Sequence, residues 1–529
     1  MKNTIRVVGG TLAALSAAFA FPGLHAQTVM QGAEVTPAAY SAQLPSLSGA
    51  PILGRIEAEE PHVKEVKQRP LRAKDIVADT VIQGQPSGTS AAVTPGLGFD
   101  GIGVGLAGYQ PASAPPDTTG AVGATQYVQW VNTDFAVFNK STGALVYGPA
   151  PGNTLFQSLG GACATSNDGD PVVQYDKAAN RWVMSQFAVP GGSAGYWQCV
   201  AVSQTSDATG GWNLYAFPAP NFNDYPKVGV WSDGYYVTFN MFTSSFVGAR
   251  VCAYDRASMI AGTAATQQCF QLSSAYDSLL PADIDGLTAP PAGSPNYLVA
   301  LLNGGLGMWK FHVDWSNAGS STLTGPIAIP TAAYNLACNG GACIPQSNSR
   351  QLLDSLGDRA MFRLAYRNLA GTETMVLNHS VMANQTRKRG TGNAAVRWYE
   401  IRNMATTPSV FQQSTFSPDA KYRWMGSAAM DKQGNMAVGY SVSSSTMHPA
   451  LAYATRLAGD AAGVLGGETT IVAGGGSQQK NLNRWGDYTH MSVDPVDDCT
   501  FWYTGQYLKA NGTFNWSTRI VSFKIASCS

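Results

Sequence analysis

Residues 484–504 read RWGDYTHMSVDPVDDCTFWYT, and residues 423–441 read RWMGSAAMDKQGNMAVGYS. Both begin with Arg-Trp and a step of small residues. Both then run through a strand-like stretch to a Met-x-x-Asp or Val-Asp turn and a second strand-like stretch. Two copies of one pattern about sixty residues apart point to repeated supersecondary units. Searching outward finds five more openings of the same kind, near Asp117 (PPDTTGAVG), Asp170 (NDGDPVVQYD), Asp224 (NDYPKVGVWSDG), Asp283 (PADIDG) and Asp358 (SLGDRAMFRLAYR). With Trp424 and Trp485 these make seven starts, each separated by enough chain for four strands and their loops.

The local patterns agree. Runs such as QYVQWVNTDFAVF, RWVMSQFAV, GYYVTFNMF and CTFWYTGQYL are rich in β-branched and aromatic residues. Gly, Asp, Asn and Pro punctuate them, which is the signature of short strands joined by tight turns. NKSTG (139–143), WSDGY (231–235) and DKQGN (431–435) read as hairpin turns. The expected fold is all-β: a seven-bladed β-propeller over residues 98–529, with two stacked β-sandwiches as the rival. The last repeat has three strands, Thr489–Val493, Thr500–Leu508 and Thr518–Ile525. A fourth is expected from FDGIGVGLAGYQ (99–110), closing the ring and removing open sheet edges.

Ahead of the propeller, residues 1–26 have a short basic start, an apolar run and a small-residue cleavage site after Ala26, the plan of a secretory signal peptide. A secreted or periplasmic location follows, with no membrane span. Residues 27–97 contain RIEAEEPHVKEVKQRPLRAKD between Ala/Ser/Pro/Gly stretches. Such composition buries little apolar surface and reads as a flexible, low-complexity charged N-terminal arm. The chain has 33 basic and 33 acidic residues, net charge zero. That balance argues against a nucleic-acid partner, which a basic excess would serve. A monomer is expected.

Eight cysteines in an exported chain imply disulfides. The economical pairing joins nearest neighbours: Cys163 with Cys199, Cys252 with Cys269, Cys338 with Cys343, and Cys499 with Cys528. No Cys/His spacing suits zinc, and no cofactor is expected. Structural calcium is the one metal considered, because SNDGDP (166–171), ADIDG (282–286) and DPVDD (494–498) place carboxylates close together in turns.

In a propeller the repeat openings converge on one mouth of the ring. The residues brought together are expected to include Asp117, Asp170, Asp224, Lys227, Asp285, Asp358, Arg359, Arg423, Arg484, Asp487 and Tyr488. Asp170, Asp224, Asp487 and Tyr488 are the catalytic candidates: a desolvated aspartic acid can donate a proton, and a tyrosine beside a base can be activated. Asp358, Arg359, Arg423 and Arg484 are candidates for ligand binding, the arginines for planar anions. Trp424 and Trp485 are candidates for stacking on a sugar or for packing between blades. His379 and His490 are weaker catalytic candidates, and the absence of a G-x-S-x-G elbow argues against a serine hydrolase.

The ordered set PPDTTGAVG, NDGDPVVQYD, DYPKVGVWSDGYYVTFN, LDSLGDRAMFRLAYRN and NRWGDYTHMSVDP resembles secreted bacterial proteins of sialidase-like propeller fold. The overall plan is similar to that of the dispase autolysis-inducing proteins. The Asp-box of true sialidases is only approximated by SDGYY and DKQGNM. The resemblance implies an extracellular binding protein whose mouth takes a glycan or a secreted or envelope protein. The alternative is a glycoside hydrolase or polysaccharide lyase acting on an acidic glycan.

Overall fold

The computed structural model describes residues 28–54, 62–63, 76–85, 91–190, 192–386 and 391–529. The segment expected to be a signal peptide, residues 1–26, and most of the charged stretch 55–75 lie outside the described residues. Among the described residues, antiparallel strands follow one another along the chain in successive groups, here called blades; two of the groups are joined in one ten-stranded sheet and two others carry a fifth strand. Blade 1 runs Thr119–Val122, Gln126–Val131, Asp134–Asn139 and Leu145–Pro151; blade 2 runs Gly169–Asp176, Arg181–Ala188, Tyr196–Ser203 and Trp212–Ala219. Blade 3 comprises Phe222–Val230, Tyr235–Phe242, Phe246–Tyr254 and Thr266–Gln271, and blade 4 Leu280–Ile284, Asn296–Leu302, Gly305–His312 and Thr322–Pro330. Blades 5 and 6 are Ala360–Leu369, Thr372–Ala383, Asn393–Arg402, Ser409–Phe416 and Tyr422–Met430, Met436–Ser444, Met447–Arg456, Thr469–Val472. His490–Val493, Thr500–Leu508 and Trp516–Ile525 begin blade 7.

The first strand of each blade packs against the first strand of the next, and His490–Val493 returns to Thr119–Val122. That circuit makes a ring and excludes two stacked sandwiches. In blades 4 and 5 the innermost strands also pair directly, in parallel, with Ala282 opposite Leu364. Both faces of a blade are covered by neighbouring blades. Tyr235–Phe242 is accordingly buried at every position, and the alternation expected of half-exposed strands is weak. Trp130, Trp182, Trp212, Trp231, Trp309, Trp398, Trp424, Trp485 and Trp516 are all fully buried within the ring. The apolar core is correspondingly divided among several clusters.

Ring closure comes from the strand Val93–Asp100, which pairs antiparallel with Trp516–Ile525. The closing strand therefore lies mainly before the expected segment 99–110, and the propeller begins near residue 93 rather than 98. Beyond Asp100 the chain leaves the sheet at Gly101 and turns at Gly103, Gly105 and Gly108, all three with positive φ. The four disulfides join the cysteine pairs expected.

Parts of the described N-terminal arm form strands. Thr28–Gln31, Glu34–Pro37 and Tyr40–Leu44 add fifth, outermost strands to blades 4, 3 and 2. Ile82–Gln83 adds one to blade 5, in parallel. Their side chains are mostly exposed. Main-chain hydrogen bonds to a sheet edge need no apolar side chains, so composition gave no sign of them. A buried charge also anchors the arm. Arg397, inaccessible in blade 5, pairs with Asp79 at 2.7 Å, and Thr415 Oγ1 donates to the same carboxylate at 2.7 Å.

Asp79→Ala leaves the Arg397 guanidinium buried without its counter-ion. The expected loss of stability is about 3–5 kcal/mol, read as a fall in the urea midpoint at unchanged slope. A midpoint equal to that of wild type would show that water reaches Arg397 when the arm is cut loose.

Candidate functional site

The innermost strands all start at the same mouth of the ring. Six blades place a non-glycine residue of left-handed backbone there: Asp117 (φ 47°), Asp170 (φ 47°), Tyr225 (φ 56°), Ser278 (φ 48°), Met425 (φ 52°) and Asp487 (φ 58°). Such residues cost on the order of 1–3 kcal/mol each and tend to cluster at functional sites. In blades 2, 3 and 6 they coincide with breaks in strand register, between Gly169 and Val172, Asp224 and Lys227, and Trp424 and Ser427. A bulge re-aims side chains and ends pairing. Here it turns polar residues toward the axis before the strand enters the apolar ring.

Direct contacts hold most of the polar residues, and charge interactions tie Asp117 and Asp224 to them. Asp170 Oδ2 accepts the Tyr225 N–H at 3.1 Å. The Lys227 ammonium lies 3.4 Å from the centre of the Tyr225 ring and 4.1 Å from that of Tyr488, and it donates to the Pro226 carbonyl at 2.9 Å. Arg359 also faces Tyr225, with its guanidinium carbon 4.7 Å from the ring centre. Both Arg359 Nε and Nη2 donate to Asp358 at 2.9 Å. Arg484 forms a tight ion pair with Asp487 and has Asp354 at 3.7 Å. Asp117 Oδ2 accepts from Asn132. A short hairpin, Ala342–Gln346 and Ser349–Asp354, brings Asp354 and Asp358 in from the connection between blades 4 and 5.

Asp117, Asp170, Asp224, Asp358, Arg359, Arg484, Asp487, Tyr488 and Lys227 are therefore brought together as expected. Arg423 is not among them: it pairs with Glu468 at 2.6 Å and Asp419 at 2.8 Å. Trp424 and Trp485 are fully buried and pack on each other with ring centres 5.9 Å apart. They fill the space between blades 6 and 7 and offer no face to a sugar. Asp283 and Asp285 lie further down the axis, where Arg363 pairs with both at 2.7 Å. Arg363 also donates to the Met491 carbonyl of blade 7 at 3.0 Å. This side chain crosses the axis beneath the mouth cluster, here called the bowl, whose side chains are nearly all buried.

Two residues of the bowl escaped the sequence reading, Tyr225 and Asp354. Asp170-Pro171 and Tyr225-Pro226 are equivalent steps in successive blades, each a left-handed residue before a proline. Aligning GDPVV with DYPKV would have put Tyr225 beside Asp170. Asp354 carries no comparable mark.

Electrostatics divide the groups. Among the described residues, the bowl holds six carboxyl groups (Asp117, Asp170, Asp224, Asp354, Asp358, Asp487) and three cations. Burial, reinforced by the charge of Asp170, pushes Asp224 up to about 8. Burial also raises Asp487 to about 6, against the opposing pull of Arg484. Lys227 is lowered to about 8 by burial. Asp224 Oδ2 and Asp487 Oδ1 are buried and have no hydrogen-bond partner.

Tyr488 fits its catalytic assignment poorly. Its hydroxyl donates to the Pro171 carbonyl at 3.1 Å, and burial beside Asp117 and Asp170 drives its ionisation far upward. His490 Nδ1 faces the Gly120 N–H at 3.2 Å, and His379 Nε2 lies 2.9 Å from the Tyr399 hydroxyl. Burial holds both imidazoles neutral. The turns considered for calcium are engaged otherwise: Asp168 accepts the Val189 N–H, Asp494 pairs with Lys140, and Asp498 with Arg367. Among the described residues, no three His, Cys, Asp or Glu side chains form a metal-holding group. Among them also, no helix is long and apolar enough to cross a membrane.

No family model matches the chain, and no curated protein matches it in sequence. Among solved structures it is similar to the N-terminal domain of Nup159, at 8% identity and TM-score 0.35, over 85% of this chain and 100% of that one. It is also similar to the polysaccharide lyase Uly1, at 11% identity and TM-score 0.35, over 83% and 100%. A third is a GH43 endo-arabinanase from Bacillus licheniformis, at 12% identity and TM-score 0.25, over 55% and 96%. Likenesses this distant transfer no activity to this chain.

The raised carboxyls predict how stability varies with pH. Unfolded aspartate titrates near 3.9, so between about pH 4 and 8 the native state keeps a proton on Asp224 that the unfolded chain has lost. Stability therefore falls as pH rises through that window. Lys227 acts oppositely above pH 8, where the native state gives up its proton before the unfolded chain does. Asp224→Asn is expected to flatten the decline between pH 4 and 8 in urea titrations. An unchanged slope would show that Asp224 ionises normally.

Proposed function

We propose that the bowl binds a neutral, hydroxyl-rich saccharide outside the cytoplasm. The four disulfides support an oxidising compartment, and the N-terminal sequence supports export. The observation that carries the reading is the unpaired oxygen pair, Asp224 Oδ2 and Asp487 Oδ1, buried in a cluster whose described residues hold twice as many carboxyls as cations. Buried polar atoms without partners cost stability, and a ligand bearing hydroxyl groups satisfies them. A protonated Asp224 donates, and its carboxylate neighbours accept.

An acidic glycan suits this bowl less well than the sequence suggested. Arg359, Arg423 and Arg484 each already hold a carboxylate at hydrogen-bond distance.

Hydrolysis is a second reading, and one observation favours it. A carboxyl group raised to about 8 beside the carboxyl group of Asp170 has the protonation state of a general acid at neutral pH.

Calorimetric titration of the purified protein with neutral and uronate polysaccharides tests both. The expected result is binding of a neutral glycan, weakened about tenfold or more by Asp224→Ala, equivalent to about 1.4 kcal/mol. New reducing ends that vanish in Asp224→Asn would add hydrolysis. Failure to bind any glycan, with a secreted protein retained on the immobilised chain instead, would replace the saccharide with a protein partner.

A further inference from the structure

Three of the four disulfides are sealed within the protein. Cys163, Cys199, Cys252, Cys269, Cys499 and Cys528 are each 1% exposed or less, whereas Cys338 and Cys343 are both half-buried. That pair also spans the least sequence, five residues against 17, 29 and 36. The stability a disulfide gives by restraining the unfolded chain grows with the loop it closes. The Cys338–Cys343 bond therefore adds least to the stability of the whole, and its effect is local.

Its place in the fold is beneath the segment that enters the bowl between blades 4 and 5. Ala342, next to Cys343, is paired with Asp354 across the short hairpin. The Ser355 hydroxyl lies 3.0 Å from the Ala337 carbonyl oxygen and 2.9 Å from that of Gly341. The Ser355 N–H donates to the same Gly341 oxygen at 3.1 Å. Gly357 approaches Ala337 so closely that a Cβ would stand 2.5 Å from its carbonyl oxygen. Inside the loop, Cys338 and Asn339 both have left-handed backbone, φ 52°. Non-glycine residues keep that conformation only where their surroundings impose it. The segment resting on the loop supplies Asp354, 3.7 Å from Arg484, and Asp358 with its partner Arg359. Three charged groups of the bowl thus stand on a turn that one reachable bond closes.

We propose that the Cys338–Cys343 disulfide is a redox-sensitive clasp that controls assembly of the bowl. A dithiol reductant supplies the two electrons. One of its thiolates attacks a sulfur of the pair, breaking the S–S bond and forming a mixed disulfide. The second thiolate then expels the bound cysteine, leaving two protonated cysteine thiols and the oxidised, cyclic reductant. Opening the loop releases residues 337–343 from their turn and withdraws two carbonyls from Ser355. Asp354, Asp358 and Arg359 lose their support, while the buried disulfides keep the blades intact. The proposal rests on the bowl as the functional site and holds for any ligand the bowl takes.

The test is graded treatment of the purified protein with dithiothreitol, followed by iodoacetamide, peptide mass mapping and amide hydrogen exchange. Cys338 and Cys343 should be alkylated at reductant concentrations that leave the other six cysteines unlabelled. Exchange at residues 354–359 should then quicken about tenfold or more, with exchange in Tyr235–Phe242 unchanged. The double variant Cys338→Ser, Cys343→Ser should show the same faster exchange without reductant. Labelling of all eight cysteines together, labelling of none, or selective labelling with unchanged exchange at 354–359 overturns the clasp. Glycan titration of the same samples keeps the two readings apart. A wild-type protein that binds no glycan overturns the saccharide reading and leaves the exchange result standing. A glycan bound equally well before and after selective reduction overturns the clasp alone.

Discussion

Each blade of this protein is apolar on both faces, and neither face can be left in water. A sheet of four short strands covers only one neighbour, so the set is stable only when every blade has one on each side. The requirement is met by a circle and by no open row, because an open row leaves two bare faces. The pairing of Val93–Asp100 with Trp516–Ile525 is therefore the contact on which the rest depends. It completes the last blade, and only a complete last blade buries the outer faces of blades 1 and 6.

Closing the circle also fixes the chemistry. Seven innermost strands run in one direction, so whatever precedes each strand is delivered to the same mouth. Charged residues make up 12% of the chain, yet among the described residues six carboxyl groups and three cations are gathered there. Desolvation, more than any single neighbour, then sets their behaviour: burial heads the causes that raise Asp224 and Asp487 and lower Lys227. The two tyrosine rings around Lys227 keep a cation in place where water is largely excluded. Arg363 with Asp283 and Asp285 closes the axis below. The bowl thus has a charged floor.

The repeat was legible because the same physical demand recurs in every blade. Asp117, Asp170, Asp224, Trp424 and Trp485 mark the turn from solvent into an innermost strand, and a turn of that kind restricts which residues are tolerated. The cysteine pairs were legible because each joins neighbours within or beside one blade. What a marker does after the turn was less readable. Arg423 and Arg484 occupy the same place in the pattern, yet Glu468 draws the first away while Asp487 and Asp354 hold the second at the mouth. That difference lies in residues distant in sequence. Blade 4 differs: the sequence reads Asp283 as its opening, but the left-handed residue at its mouth is Ser278, so Asp283 and Asp285 lie deeper, on Arg363. The outer strands of the arm were invisible because backbone pairing has no compositional signature.

Those outer strands have a consequence for how the molecule holds together. Thr28–Gln31 pairs with Thr322–Gly325 and Tyr40–Leu44 with Trp212–Ala216, contacts between segments hundreds of residues apart. Long loops add closure entropy only slowly, about 0.6 kcal/mol per doubling, so such contacts are affordable in the folded state although they form late. The disulfides divide the task differently. Their sequence separations are 36, 17, 5 and 29 residues, each confined to one blade or its immediate surroundings. Cys252 and Cys269 even face one another in paired strands. Covalent bonds therefore secure individual blades, whereas the circle and its N-terminal strap are held by hydrogen bonds and by buried pairs such as Arg397 with Asp79. A blade can keep its shape while the ring is open, but the bowl exists only when the ring is shut, because its carboxyl groups and its tyrosine cage are drawn at once from blades 1, 2, 3 and 7 and from the connection between blades 4 and 5.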